Sequence, residues 1–160
     1  MRRHGIAGHW DVFVCPGGAA RAQIFRMAAS SNARNVRCWD AVGVAFSVLI
    51  VDDDQLFLEA ARVLLERDGL RVIGGAATPA EALQRARELR PDVVLVDIAL
   101  GEENGFDLAR RLAGGGSTVI MISTRAGADY ADLVADSPAA GFLPKDKLSA
   151  AAIRRIADRG

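Results

Sequence analysis

A short apolar run that ends in three consecutive acids constrains this chain more than any other stretch. The run Val48–Val51 has no polar alternation, which is typical of a strand covered on both faces in a parallel sheet. Asp52, Asp53 and Asp54 follow it directly, and their charges repel one another. A hard divalent cation or a basic side chain usually offsets such repulsion. The sequence therefore predicts a metal-binding strand end.

Three further apolar runs also lead to chemically active side chains. Val93–Val96 leads to Asp97, Val119–Ile122 leads to Ser123, and Gly141–Pro144 leads to Lys145. In an open parallel sheet, residues that follow the strands meet at the carboxyl edge, where such folds place their ligand sites. We therefore expect acids, a hydroxyl and an ammonium group to converge there.

Helical patterns separate these strands from Phe46 onward. Gln55–Glu66 has apolar residues at helical spacing. Thr78, Pro79 and Glu81 indicate a helix start, with a cap, a proline at the first helical position and a glutamate three residues after the cap. The remaining predicted elements are a strand over Arg71–Ala76 and helices over Phe106–Leu112, Ala128–Ala135 and Lys147–Ala157. Five strands alternating with five helices predict an α/β fold: a doubly wound, five-stranded parallel sheet with helices on both faces.

The first 45 residues differ in charge from the rest of the chain. The 160 residues include 20 basic and 20 acidic ones, yet residues 1–45 carry six arginines against two aspartates. A net charge of zero favours neither nucleic acid nor a membrane as partner, and no apolar run approaches the roughly 18 residues of a transmembrane helix. We predict an irregular extension over residues 1–45, disordered or preceding the true start, and one cytoplasmic domain over residues 46–160.

The extension contains both histidines and both cysteines of the chain. His4, His9, Cys15 and Cys38 could be written as four zinc ligands, but their spacing matches no common pattern of paired ligands on turns. Chance is the better interpretation, and no zinc site is predicted.

Asp97 has the chemistry of a nucleophile toward phosphorus. A carboxylate can attack a phosphoryl group to give an acyl phosphate, but both partners are anionic. Mg²⁺ held by Asp53 and Asp97, with Asp52 assisting through water, would reduce that repulsion. Lys145 would pair with one phosphoryl oxygen, and the Ser123 hydroxyl could donate to another.

Residues 46–160 resemble the receiver domain of two-component response regulators, which has a flavodoxin-like fold. The residues that carry the resemblance are Asp52, Asp53, Asp97, Gly105, Ser123 and Lys145. They follow one another in the order of the family motif and at the matching strand ends.

The resemblance implies a role for each residue of the site. Asp97 would be the phosphoacceptor, and Asp53, Asp97 and the backbone carbonyl of Ala99 would bind Mg²⁺. Ser123 and Lys145 would then sense the phosphoryl group.

The same resemblance implies that Phe142 is an aromatic switch. Its rotamer would follow an inward shift of the hydroxyl and remodel the face formed by the fourth helix, the fifth strand and the fifth helix. From the residues alone, Phe142 is equally well interpreted as part of the core. Asp54 is interpreted as a helix cap and Thr124 as backbone support.

The sequence departs from the family pattern in two loops. Leu100 and Gly101 replace the Met-Pro often found after the phosphoacceptor, and Asp146 replaces the proline that commonly follows the lysine. The first change removes no ligand, and the second makes a cis peptide after Lys145 less expected, since cis is costly without proline. Ala99 and Arg125 occupy the two variable positions that influence the lifetime of the acyl phosphate in the family.

These features predict a phosphoacceptor regulator rather than an enzyme. Its expected partners are a sensor histidine kinase or phosphotransfer protein, and a downstream protein or a second copy that binds the switch face. We expect a stand-alone receiver without direct nucleic acid binding, since no helix-turn-helix segment follows the last predicted helix. The alternatives are a degenerate or truncated regulator that binds proteins without phosphorylation, and an aspartyl phosphatase, although a haloacid-dehalogenase-like enzyme would want an acid where Ala99 stands.

Overall fold

The computed structural model describes residues 46–125 and 127–159, so the predicted extension lies outside the described residues. The parallel strands of its main sheet are β1 (Ser47–Val51), β2 (Arg71–Ala76), β3 (Val93–Asp97), β6 (Thr118–Ser123) and β7 (Gly141–Pro144). A small antiparallel hairpin follows β3 and consists of β4 (Ala99–Leu100) and β5 (Glu103–Asn104). The strand order across the main sheet is β2-β1-β3-β6-β7.

Helices connect the strands of the described chain. They are α1 (Gln55–Arg67), α2 (Pro79–Leu89), α3 (Gly105–Leu112), α4 (Ala131–Ala135) and α5 (Ala150–Ala157). Short 3-10 helices, Gly127–Tyr130 and Lys145–Lys147, precede α4 and α5. None of the described helices has the length and apolar composition needed to cross a membrane.

The helices cover both faces of the sheet. On one face, α2 and α3 share a buried cluster with alternate residues of the central strands. The cluster includes Leu49, Val51, Ala82, Leu83, Val94, Val96, Phe106, Leu108, Val119 and Met121. The intervening strand residues face the opposite side, because side chains alternate along a strand. There, Leu58 of α1 lies beside Gly75 and Ile156 of α5 lies beside Gly141. The predicted doubly wound α/β fold is confirmed.

Two helices begin later than the sequence predicts. The last helix begins at Ala150 because Ser149 caps it, accepting a hydrogen bond from the N–H of Ala152 at 3.3 Å. The three residues from Lys145 form a separate 3-10 turn. The fourth helix begins at Ala131, and the 3-10 turn before it takes up the start of the predicted helix.

Candidate functional site

Three carboxylates meet at the carboxyl edge of the main sheet. Asp52 and Asp53 follow β1, and Asp97 ends β3, the neighbouring strand. Each offers one oxygen, and these oxygens all lie within 4.8 Å of one another. Asp52 and Asp97 are buried, whereas Asp53 is exposed. Hard oxygen donors clustered in this way, with one side open to solvent, fit a Mg²⁺ ion.

Lys145 provides the positive charge beside these acids. Its Nζ lies 2.5 Å from Asp52 Oδ2 and 3.3 Å from Asp97 Oδ2. Only 12% of the lysine side chain is exposed. Since β6 separates β7 from β3, the lysine side chain reaches across the end of β6 to the acids.

Asp52 is fully buried, and its two carboxylate oxygens have different partners. Oδ1 accepts a hydrogen bond from the N–H of Asp54 at 2.9 Å, and Oδ2 pairs with Lys145. Burying a carboxylate is costly unless the charge is paired. Asp52 and Lys145 therefore form one electrostatic unit.

Asp54 caps α1, as the sequence predicts. Its Oδ1 accepts hydrogen bonds from the N–H groups of Leu56 and Phe57, at 3.0 and 3.3 Å. The cap satisfies two backbone donors that the first helical turn leaves without a partner. It also fixes the direction in which α1 leaves the acidic cluster.

The surroundings shift the acid–base properties of Asp97 and Lys145. Burial raises the pKa of Asp97, and the charge of Asp52 adds to the rise, while Lys145 and the Ala99 N–H oppose it. For Lys145, burial favours the neutral amine, but the hydrogen bond to Asp52 and the charge of Asp97 outweigh burial and raise its pKa. The cluster contains three carboxylates and one ammonium group, so it holds more negative charge than Lys145 compensates, which is a second reason why it fits a divalent cation.

The raised pKa of Asp97 predicts how stability depends on pH. We expect Asp97→Asn to raise the free energy of unfolding by on the order of 1 kcal/mol at pH 7 in EDTA, because the variant removes an unfavourable buried charge. Lowering the pH through the folded-state pKa of Asp97 should stabilise the wild type, so the difference should shrink toward pH 4. Urea unfolding at several pH values measures both effects.

The matched control for this experiment is Asp146→Asn. Asp146 is exposed and pairs only weakly with Lys147, at 4.0 Å. Asp146→Asn should change the free energy of unfolding of the protein by less than about 0.5 kcal/mol. A wild type more stable than Asp97→Asn at pH 7 without metal would contradict the prediction.

Ser123 ends β6, next to the strand that carries Asp97. It is buried, and it directly follows Ile122, the residue that pairs with Asp97 across the sheet. Its Oγ accepts a hydrogen bond from the N–H of Arg125 at 3.2 Å. The hydroxyl still carries a proton that it can donate at this edge.

The hairpin of β4 and β5 shapes the backbone after Asp97. Ala99 is the first residue of β4 and pairs with Asn104, while the N–H of Gly105 donates to the carbonyl of Ile98 at 3.0 Å. Sequence reasoning did not find this hairpin, and the predicted metal-binding role of the Ala99 carbonyl stays a prediction.

Phe142 lies on β7 and packs against the segment that leads into α4. Its ring centroid is 6.2 Å from that of Tyr130. A Cβ on Gly127 would lie 2.8 Å from two atoms of the Phe142 ring, so the ring rests against the glycine backbone. Phe142 also packs on the buried cluster under α2 and α3. It therefore contacts both the core and the approach to α4, and its switch role stays a prediction.

Phe57 is a site neighbour that sequence reasoning missed. Lys145 Nζ lies over its ring, 4.3 Å from the centroid. Helical side chains tilt toward the N-terminus of their helix, so a residue three positions after the cap Asp54 leans back over the strand end. That position is the signal by which Phe57 could have been found.

The chain is similar to known proteins. The family model described as response regulator receiver domain matches residues 48–157. The response regulator GacA of Pseudomonas viridiflava is 44% identical over 66 residues, which cover 41% of this chain and 31% of GacA. The regulator BvgA of Bordetella pertussis is 34% identical over 100 residues, which cover 61% of this chain and 48% of BvgA. The chain thus spans about half or less of the length of these curated relatives.

A solved structure has the same fold. The signal receiver domain of a modulated diguanylate cyclase from Desulfovibrio desulfuricans G20 is 33% identical, with a TM-score of 0.60. The likeness covers 71% of this chain and 90% of that domain. The family match takes in more than half of the chain, including the whole main sheet except its first residue and every member of the acidic cluster. The chain therefore belongs to the receiver domains of the response regulators of two-component signalling.

Proposed function

We propose that this receiver domain, over residues 46–160, accepts a phosphoryl group on Asp97 with Mg²⁺ bound. The observation that carries the proposal is the meeting of three carboxylates with one ammonium group. The carboxylate oxygens lie within 4.8 Å of one another, and Lys145 Nζ lies 3.3 Å from Asp97 Oδ2. This combination provides a nucleophile, a cation site and a fixed positive charge at one edge of the sheet.

In the proposed reaction, a carboxylate oxygen of Asp97 attacks phosphorus and forms a new P–O bond. The bond between phosphorus and the leaving group of the donor breaks, and the leaving group departs with the bonding electrons. The product is an acyl phosphate, so the negative charge of the Asp97 carboxylate passes to the phosphoryl oxygens.

Asp53, Asp97 and the Ala99 carbonyl would hold the Mg²⁺ ion, with Asp52 assisting through water. When bound, the ion supplies positive charge that reduces the repulsion between the carboxylate and the phosphoryl group. The clustered hard oxygen donors support this assignment.

Lys145 and Ser123 would stabilise the transferred group. Lys145 is charged and largely shielded from solvent, which strengthens its pairing with a phosphoryl oxygen. The Ser123 hydroxyl would donate to another oxygen, and Phe142 would follow its shift. The output would then pass through the face of α4, β7 and α5 to a downstream protein or a second copy.

The phosphoryl donor would be a sensor histidine kinase or a phosphotransfer protein, the partners expected of this family. BvgA is named as a transcription regulator. The expectation that this chain does not bind nucleic acid directly therefore stays a prediction, as do its cytoplasmic location and its lack of enzymatic output.

Incubation with acetyl phosphate tests the proposed function. With Mg²⁺, the wild type should gain the mass of one phosphoryl group, whereas Asp97→Asn and wild type in EDTA should gain none. Asp146→Asn, the exposed acid described above, should behave as the wild type. Mg²⁺ alone should also raise the free energy of unfolding by about 2.7 kcal/mol at a hundred times its Kd.

Three outcomes would overturn the proposal. Phosphorylation of Asp97→Asn would mean that another residue is the acceptor. A wild type that gains no mass would favour the degenerate regulator that binds proteins without phosphorylation. Continuous hydrolysis of acetyl phosphate at a rate typical of enzymes would instead favour the aspartyl phosphatase.

A further inference from the structure

We infer that Phe57 is a positioning residue, whose ring face holds the Lys145 ammonium group over the acidic cluster by a cation–π contact. The inference rests on the proposed function of Lys145. The contact distance of 4.3 Å from Nζ to the ring centroid is well inside the range in which such contacts are attractive. Phe57 does not touch the reacting atoms, so it would act only through the lysine.

The ammonium group of Lys145 is enclosed from three directions. Asp52 Oδ2 and Asp97 Oδ2 lie 2.5 and 3.3 Å from Nζ, and the ring of Phe57 covers a further side. Because only 12% of the lysine side chain is exposed, little water competes for the ammonium group. A cation that has lost most of its water gains more from an aromatic face than an exposed one does.

The position of the ring is fixed from the helix side. Phe57 lies in the first turn of α1, and its backbone N–H donates to the capping carboxylate of Asp54 at 3.3 Å. Its own side chain is half-buried. The ring is therefore held by α1, whereas the ammonium group comes from the turn after β7, at the end of a flexible four-carbon chain.

The contact matters when the partners of Lys145 change. In the proposed reaction, Asp97 loses its charge to the phosphoryl oxygens, so the lysine must exchange one carboxylate partner for a phosphoryl oxygen. The contacts of Lys145 with Asp52 and Phe57 do not involve the P–O bond that forms or the bond to the leaving group that breaks. They would keep Nζ at the sheet edge throughout, which is the pre-organisation that favours charge stabilisation in a transition state.

Substitutions at position 57 test the inference. Phe57→Leu should slow phosphorylation by acetyl phosphate about 3- to 10-fold at saturating Mg²⁺, because it removes the ring face. Phe57→Tyr and Phe57→Trp keep a ring face and should stay within about 2-fold of the wild type. Site-specific fluorination of the Phe57 ring weakens its attraction for cations with little change in size, so the rate should fall stepwise with each fluorine.

Phe46→Leu is the matched control for lost packing. Phe46 is buried, but it precedes β1, at the opposite end of that strand from Asp52. Phe46→Leu should therefore lower the free energy of unfolding without slowing the phosphorylation of Asp97. Equal rates for Phe57→Leu and the wild type, or rates that follow stability across all variants including Phe46→Leu, would overturn the inference.

A second readout does not depend on phosphorylation. In the unphosphorylated wild type, the ring should shift the ε-methylene proton resonances of Lys145 upfield. The shift should persist in Phe57→Tyr and vanish in Phe57→Leu. A wild type that shows this shift but takes up no phosphoryl group would refute only the proposed function, whereas a wild type without the shift would refute the placement of Phe57.

Discussion

Replacing Lys145 by methionine is expected to lower the free energy of unfolding by about 3 to 5 kcal/mol in EDTA. Methionine keeps most of the side-chain length but leaves Asp52 Oδ2 without the ammonium group that lies 2.5 Å away. Asp52 is fully buried, so water cannot replace that partner. Urea unfolding at pH 7 measures the loss.

The control and the rescue follow from the same ion pair. Lys147→Met removes an exposed ammonium group in the same 3-10 turn and should cost less than about 1 kcal/mol. Adding Asp52→Asn to Lys145→Met should recover much of the loss, because it removes the unpaired charge while an amide oxygen can still accept from the Asp54 N–H. Equal losses in Lys145→Met and Lys147→Met would contradict the importance of this pair.

Gly105→Ala is the second substitution with a large expected effect. A Cβ on Gly105 would overlap the carbonyl oxygen of Asp97 and lie 3.0 Å from the carbonyl carbon of Asp97 and from the Cα of Ile98. All of these atoms belong to the backbone, so no side chain can turn aside. We expect the free energy of unfolding to fall by about 3 kcal/mol. Phosphorylation of Asp97 should slow as well, because the backbone that carries this residue must move.

Gly75→Ala serves as its control. A Cβ on Gly75 would lie 3.6 Å from the methyl groups of Leu58 and 3.8 Å from the carbonyl oxygen of Ile50, which are ordinary contact distances. Its free energy of unfolding should change by no more than about 1 kcal/mol. If Gly105→Ala unfolds at the same urea concentration as Gly75→Ala, the close approach to the Asp97 backbone does not restrict position 105.

The alternation of strands and helices could be predicted from the sequence because its causes are local. A short continuous apolar run predicts a buried strand, whereas apolar residues at helical spacing predict a helix. Asp54 and Thr78 cap their helices, because their side-chain oxygens accept hydrogen bonds from backbone N–H groups two or three residues further along the chain. The start of α5 is predicted less well, because a 3-10 turn at Lys145 and a helix cap at Ser149 lie close together there.

The sequence also determined which residues end the strands, and parallel pairing then brings those ends to one edge. It could not determine which side chains meet there. Lys145 and Phe57 are far apart in the chain, and the ring and the ammonium group come together only through the strand order and the direction of α1. The pairing of Lys145 with Asp52 depends on the same geometry, as does the close approach of Gly105 to Asp97. Apolar spacing and helix caps determine structure over a few neighbouring residues, whereas these contacts exist only once the sheet is assembled.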